Sequence, residues 1–165
     1  MIRTLTDEKI IPSSAIASLT QHIAQDKKIV LVGGCFDILH IGHLIFLDAA
    51  KKEGDCLIVL LESDESIKKS KGPRRPLNTQ EDRARLLAAF ESVDYVVLLP
   101  TDMHDKTYDT LVMEIKPAII ATTKGDQYRF HKERQAKSVG ASVIDVTDPI
   151  KDQSTTKVFE ILKEI

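Results

Sequence analysis

The sequence predicts an α/β domain: a doubly wound, Rossmann-like, five-stranded parallel sheet in the order 3-2-1-4-5, with helices on both faces. Three observations carry that expectation. From Lys28 onward, short apolar runs alternate with helix-period segments, the pattern of βα units joined by right-handed crossovers. The run Cys56-Leu57-Ile58-Val59-Leu60-Leu61 is apolar throughout, as a parallel strand covered on both faces is. The run Ile29-Val30-Leu31-Val32 passes through Gly33 and Gly34 toward a helix, the form of the first βα turn in such folds.

The elements follow in order. Residues 1–12 carry no pattern and read as a lead-in. Pro12-Ser13-Ser14 can start a helix, and Ile16, Leu19 and Ile23 follow at helical spacing to about Gln25. After the first strand, a helix from about Gly42 to Glu53 stops at Gly54. The strand Cys56–Leu61 ends in Glu62-Ser63-Asp64, at the end of the sheet where ligands bind. Lys68 to Pro76, with its glycine and two prolines, reads as a basic loop. Either Asn78 or Thr79 caps the next helix, since Glu81 and Asp82 sit three residues on from each. A strand at about Tyr95–Leu99, a helix at Lys106–Ile115, and a strand at Ala118–Ala121 come next. A loop at Thr122–Asp126, a polar helix at Tyr128–Ser138 and a strand at Ser142–Val146 follow. A last helix begins near Ser154, with Val158, Ile161, Leu162 and Ile165 on one face.

Composition excludes several classes. The chain has 165 residues, enough for one domain with a proper core. Its formal net charge of -2 argues against a general nucleic-acid binder. No apolar run approaches the roughly 20 residues that span a membrane, and Asp7 and Glu8 interrupt any leader-like stretch. The two cysteines, Cys35 and Cys56, lack zinc-type spacing and read as reduced thiols of a cytoplasmic protein.

The chemistry concentrates at Gly33 to His43, G-G-C-F-D-I-L-H-I-G-H. A helix N-terminus offers free N–H groups and partial positive charge, which favour phosphate. His40 and His43 add imidazole donors, and Gly42 between them lets the backbone approach. Gly34-Cys35-Phe36-Asp37 followed by His40-Ile41-Gly42-His43 resembles the G-x-F-D and H-x-G-H elements of the cytidylyltransferase-like nucleotidyltransferases. The bland alternative is a pair of capping histidines. No P-loop and no G-x-G-x-x-G pattern occurs, so kinase and dinucleotide readings lose their usual support.

The resemblance covers about Lys27 to Ile165 and implies a single nucleotidyltransferase domain over 1–165, with 1–27 as lead-in and helix. It implies attack by a phosphorylated acceptor on the α-phosphorus of a nucleoside triphosphate, with loss of pyrophosphate. A phosphate monoester is mostly dianionic at neutral pH, its second pKa being about 6, so no strong general base is needed. Positioning and positive charge are what the site must supply. His40, His43 and Lys71 are implied as catalytic, with the lysines of the basic loop folding over the triphosphate. Gly34, Cys35, Phe36, Asp37, Gly42, Arg83, Gly125, Asp126, Ser154, Thr155 and Thr156 are implied to bind the nucleotide. Within this set, Glu81-Asp82-Arg83 resembles the family E-x-R, whose arginine faces the phosphates or the base pocket. Gln153-Ser154-Thr155-Thr156 resembles I-S-T-T, and Lys124-Gly125-Asp126-Gln127-Tyr128 resembles G-x-D-[YW]. Asp64 and Arg75 are implied to contact the acceptor.

Within the family the chain looks most like the adenylyltransferase half of ADP-heptose synthase, through Lys71-Gly72-Pro73, Arg75-Pro76-Leu77-Asn78 and Glu91-Ser92-Val93-Asp94-Tyr95-Val96-Val97. That resemblance implies ATP and a heptose 1-phosphate-like acceptor, in lipopolysaccharide biosynthesis. Gly33 and Glu62 stand where asparagines are common, Asp152 where a glycine is usual, and Lys124-Gly125-Asp126 has one glycine where two are common. Glu62 and Asp152 each add negative charge near the expected acceptor. Glycerol-3-phosphate cytidylyltransferase, using CTP, is the alternative; Pro149-Ile150-Lys151 stand where its arginine precedes I-S-T-T. A nucleotide-binding sensor or subunit without turnover is the alternative of another class. Magnesium is expected with the triphosphate and no protein-bound metal is expected, although Asp37 could contribute a ligand. A homodimer is expected from the family; no nucleic-acid or membrane partner is.

Overall fold

The computed structural model describes residues 6–23 and 25–149. A parallel sheet lies between two helical layers. Its strands are β1 (Ile10–Pro12), β2 (Ile29–Gly34), β3 (Cys56–Leu61), β4 (Tyr95–Leu98), β5 (Ile119–Thr123) and β6 (Ser142–Thr147). The helices are α1 (Ile16–His22), α2 (Ile41–Lys52), α3 (Asp64–Lys71), α4 (Gln80–Ala88), α5 (Asp105–Ile115) and α6 (Arg129–Val139). Short 3-10 turns at Asp7–Lys9 and Ser13–Ala15 flank β1.

The sheet has six strands in the order β1-β4-β3-β2-β5-β6, every pair parallel. The last five of these reproduce the expected 3-2-1-4-5 order. The sixth corrects the expectation of an unpatterned lead-in. Ile10, Ile11 and Pro12 pair with Val96, Val97 and Leu98. Ile10 packs against one core cluster and Ile11 against the other. Pro12 has no N–H to donate, which suits an edge strand. Three residues are too short a run for periodicity to register.

Side chains alternate across the sheet and bury both faces, which is why the central strands are apolar throughout. Val30, Val32, Leu57, Val59 and Leu61 face α2 and α4 through Leu47, Ala50, Ala84, Leu87 and Ala88. Ile29, Leu31, Ile58, Leu60 and Val97 face α1 and α5 through Ile16, Leu19, Leu111, Val112 and Ile115. Each fully buried aliphatic side chain contributes about 1.5–3 kcal/mol over its exposed state. Gly54 closes the turn from α2 into β3, where a Cβ would meet the Lys28 carbonyl oxygen at 2.5 Å.

The basic segment also departs from expectation. Lys68, Lys69 and Lys71 lie in the last turn of α3, and the loop starts at Gly72. Ser63 caps this helix, its Oγ accepting from the Ser66 N–H at 3.2 Å. Asp64 and Glu65 occupy the first turn and the lysines the last, so the charges oppose the helix dipole at both ends. Ile67 is its one buried residue, so no apolar period reveals the helix in sequence.

Among the described residues, no helix is long and apolar enough to cross a membrane.

Candidate active site

The sheet opens at β2, where the order of strand addition reverses. β2 pairs with β3 over six residues, but with β5 only at Val30–Ile119 and Leu31–Ile120. Beyond Leu31 and Ile120 the two strands part. This is the switch point of a doubly wound sheet, and the crevice lies at the carboxyl ends of its strands. A cavity of about 960 Å³ fills it, with Leu31, Val32 and Ile120 among its lining residues.

One wall is the turn from β2 into α2. Phe36 adopts φ +46°, in the left-handed region, and its side chain is buried. Its ring lies over Gly34, where a Cβ would meet ring carbon Cε2 at 2.9 Å. The glycine and the phenylalanine of G-x-F-D therefore require one another. Asp37 then turns inward. It accepts from Arg75 Nε at 2.5 Å and from the Leu77 and Asn78 N–H groups at 2.7 and 3.3 Å. Asn78 Nδ2 donates back to the Asp37 carbonyl at 3.0 Å.

His40 caps α2. Its Nδ1 accepts from the Gly42 N–H at 3.1 Å, and its own N–H donates to His43 Nδ1 at 3.4 Å. The rings stack with centroids 3.9 Å apart, and Phe36 packs on His43 at 5.2 Å. Since both Nδ1 atoms accept, each neutral ring carries its proton on Nε2. Burial holds His40 below the ordinary histidine value. Burial, then the neighbouring His40 and Lys71, bring His43 down to about 4. The pair is therefore neutral at pH 7 and offers two Nε2–H donors at a helix N-terminus, inside a cavity that both residues line. Such a surface stabilises oxygens that gain charge.

The other walls come from distant segments. Lys71, Ser66 and Ser70 enter from α3, Glu62 from the end of β3, and Met103, Asp105, Tyr108 and Val112 from the approach to α5 and that helix. Across the crevice stand Thr122, Asp126, Gln127, Tyr128 and Lys132. Asp126 Oδ2 accepts from Thr122 Oγ1 at 2.7 Å and from Lys132 Nζ at 2.5 Å; its Oδ1 accepts from the Tyr128 N–H at 3.0 Å. Burial opposes its ionisation, but the bonds from Lys132, Thr122 and Tyr128 outweigh that and keep its carboxyl below the usual range. Burial pushes the Cys35 thiol up, against the opposing effect of Lys71.

Of the residues singled out in sequence, Gly34, Cys35, Phe36, His40, Gly42, His43, Lys71 and Asp126 come together around this cavity. Asp37 and Arg75 are buried against each other and hold the 75–78 loop in place. Arg83, expected to face the nucleotide, is fully buried. Its guanidinium donates to the carbonyls of Cys35 (2.5 Å), Glu62 (2.9 Å) and Asn78 (3.1 Å) and to Asp64 Oδ1 (2.7 Å). Asp64, expected at the acceptor, is that arginine's ion-pair partner. Gly125, at φ +79°, makes the turn that presents Asp126 and is not itself in the lining. Ser154, Thr155 and Thr156, with Asp152, lie outside the described residues.

Tyr108, Thr122 and Lys132 were not singled out by sequence. Tyr108 sits one turn before the buried Leu111 and Val112 of α5, and Lys132 one turn before the buried Ala136 of α6. Those core residues set the rotation of each helix, and its first turn lies at the carboxyl end of the sheet.

No cluster of histidine, cysteine, aspartate and glutamate among the described residues could hold a metal ion. Asp37 is already committed to Arg75 and two backbone amides.

Residues 31–161 match the Cytidylyltransferase-like family model. The "Bifunctional protein HldE" of Alcanivorax borkumensis is 43% identical over 144 residues, covering 86% of this chain and 29% of that protein. The protein of the same name from Helicobacter hepaticus is 41% identical over 157 residues, covering 95% of this chain and 31% of its own length. The chain thus spans less than a third of these curated relatives. Among solved structures, the lipopolysaccharide core biosynthesis protein from Thermoplasma volcanium superposes with a TM-score of 0.60 at 28% identity. It covers 77% of this chain and 99% of that one. The pantoate-beta-alanine ligase of Francisella tularensis, at 16% identity and TM-score 0.60 over 94% of this chain and 78% of its own, shares the fold. With the stacked histidines at the β2–α2 turn and the family match across the whole crevice, the chain belongs to the cytidylyltransferase-like family of nucleotidyltransferases.

Proposed function

We propose that this domain transfers a nucleoside monophosphate, AMP by preference, from its triphosphate to a sugar phosphate of the heptose 1-phosphate type. The observation that carries it is the pair of neutral Nε2–H donors of His40 and His43 at the N-terminus of α2, inside the cavity. An oxygen of the acceptor's phosphate dianion attacks the α-phosphorus. The bond from that phosphorus to the bridging oxygen breaks, and pyrophosphate leaves with the electron pair. No proton need be removed from the nucleophile. The two imidazoles and Lys71 hydrogen-bond to the non-bridging and leaving oxygens as their charge grows. Magnesium brought in with the triphosphate would neutralise part of the phosphate charge.

The choice of acceptor is supported by relatives named HldE at 41–43% identity and by the lipopolysaccharide core biosynthesis protein at 28%. Homodimeric assembly and a cytoplasmic location belong to the same proposal, carried over from the family. Pyrophosphate release with four nucleoside triphosphates against a panel of sugar and polyol phosphates tests it. The expected result is release with ATP and a heptose 1-phosphate. Release with CTP and glycerol 3-phosphate only, or none with any pair, would overturn it.

A further inference from the structure

Glu62 occupies a position that the phosphate chemistry does not explain. It places a carboxylate in a cavity built to receive anions. Its backbone is pinned twice: its N–H donates to the Gly34 carbonyl at 3.1 Å, and its carbonyl accepts from Arg83 Nη2 at 2.9 Å. Its side chain is oriented by Tyr108, whose hydroxyl donates to Oε1. Burial first, then the Glu62 charge and that hydrogen bond, push the Tyr108 phenol far up, so it stays a donor at all working pH. One carboxylate oxygen is thus committed to Tyr108, and accepting capacity is left over in a cavity wall.

Position says what that capacity faces. His40, His43, Cys35, Lys71, Glu62 and Tyr108 line one cavity, with Glu62 following β3, on the other side of β2 from β5. The opposite wall carries Thr122, Asp126, Tyr128 and Lys132, so two separate polar arms diverge from the histidines. The Glu62 arm repels a phosphate. Arg83 is spent on the Glu62 carbonyl and on Asp64, so it does not neutralise the Glu62 side chain. Among the described residues only Oε1 has a donor, Tyr108, so Oε2 is open to further uncharged donors.

We infer that the Glu62 carboxylate, oriented by Tyr108, is the specificity-determining acceptor for hydroxyl groups on the carbon skeleton of the phosphorylated co-substrate. This rests on the transferase reading and adds to it: the co-substrate is a polyhydroxylated phosphate ester, with hydroxyls beyond the phosphate end. Hydroxyls satisfy the carboxylate; an ester without them leaves a partly buried, half-satisfied anion beside a dianion. A site built to bond hydroxyls rejects the analogue that lacks them.

The test is equilibrium binding by calorimetry in the presence of a non-hydrolysable ATP analogue. It compares heptose 1-phosphate, ethyl phosphate and ethanolamine phosphate in wild type, Glu62→Ala and Glu62→Gln, with circular dichroism as folding control. Wild type should bind heptose 1-phosphate more tightly than ethyl phosphate by about 10- to 100-fold, the usual worth of a hydrogen bond to a charged group. Glu62→Ala should lose most of that ratio, with ethyl phosphate binding unchanged or tightened by removal of a like charge. Glu62→Gln, which keeps the shape, should lose the larger part too, since charge-assisted bonds are about twice as strong as neutral ones. Equal weakening of both esters in Glu62→Ala would mark a structural role and overturn the inference. So would a wild type with no preference, or one that binds ethanolamine phosphate most tightly. Hydroxyl discrimination without pyrophosphate release on adding ATP would overturn the transferase reading and leave this inference standing.

Discussion

Replacing Arg83 by methionine separates two roles for a family arginine. A residue that contacts nucleotide phosphates would matter for substrate and little for stability. The structure instead buries it completely and uses it to join four segments: the β2–α2 turn at Cys35, the end of β3 at Glu62, the start of α3 at Asp64, and the loop at Asn78. Arg83→Met leaves three carbonyl oxygens without their donor, at about 1–3 kcal/mol for each that stays dry. Asp64 is a third exposed, so water compensates much of its loss. Allowing for water entry, the cost should fall at about 3–5 kcal/mol, the usual range for breaking a buried ion pair from one side. Against a typical total of about 5–15 kcal/mol, that is a large fraction. Urea unfolding followed by circular dichroism at pH 7 measures it. Arg83→Lys keeps the charge but cannot span all four acceptors, so it should recover less than half. A methionine variant within about 1 kcal/mol of wild type, with ATP KM raised instead, would refute the clamp.

His40→Ala and His43→Ala, each folded by circular dichroism, should each lose about 100- to 1,000-fold in kcat, the usual worth of one preorganised donor; near-normal turnover in both would reduce the turn to a helix cap. Lys71→Ala should raise the triphosphate KM as well as lower kcat, because a lysine in the cavity wall also meets the ground state; steady-state kinetics with ATP varied would show it. His43 also predicts a pH dependence of stability. Its folded pKa of about 4 lies below the unfolded value of about 6.5. As pH falls from 6.5 toward 4, the unfolded chain takes a proton that the fold refuses, so stability drops across that window. The loss from this one group is at most about 3 kcal/mol, reduced by solvent at its partly exposed ring. Urea unfolding at pH 7 and 4.5 should show a steeper fall for wild type than for His43→Gln; equal slopes would count against a neutral, partly desolvated ring.

The departures from the sequence-based expectation have a common physical origin. Asp37, Asp64, Arg75 and Arg83 are charged residues beside a phosphate-binding motif, and sequence alone cannot say which of them a ligand meets. Asp37 finds Arg75 across 38 positions, and Arg83 finds Asp64 across 19. Both pairs set against each other charges that local reading assigned to the nucleotide (Asp37, Arg83) or the acceptor (Arg75, Asp64). The basic segment misled for a different reason. With Ile67 as its single buried residue, α3 is held by caps and dipole-matched charges rather than by an apolar stripe. Tyr108 and Lys132 were invisible because nothing near them in sequence marks the cavity; the packing of Leu111, Val112 and Ala136 aims them there.

What the sequence determined by itself is what depends on contiguous residues. Alternating βα units with strands apolar on both faces dictate a parallel sheet with helices on both sides. Gly34 to Asp37 and His40 to His43 form a turn whose tautomers and donors follow from hydrogen bonds within four residues. Only the tertiary structure decided which charges face the crevice. That choice is made by desolvation: a buried charge must find a partner, and the partner comes from another segment of the chain. The same packing added β1 to the free edge of β4 and set Glu62 against Tyr108, two contacts that no local pattern encodes.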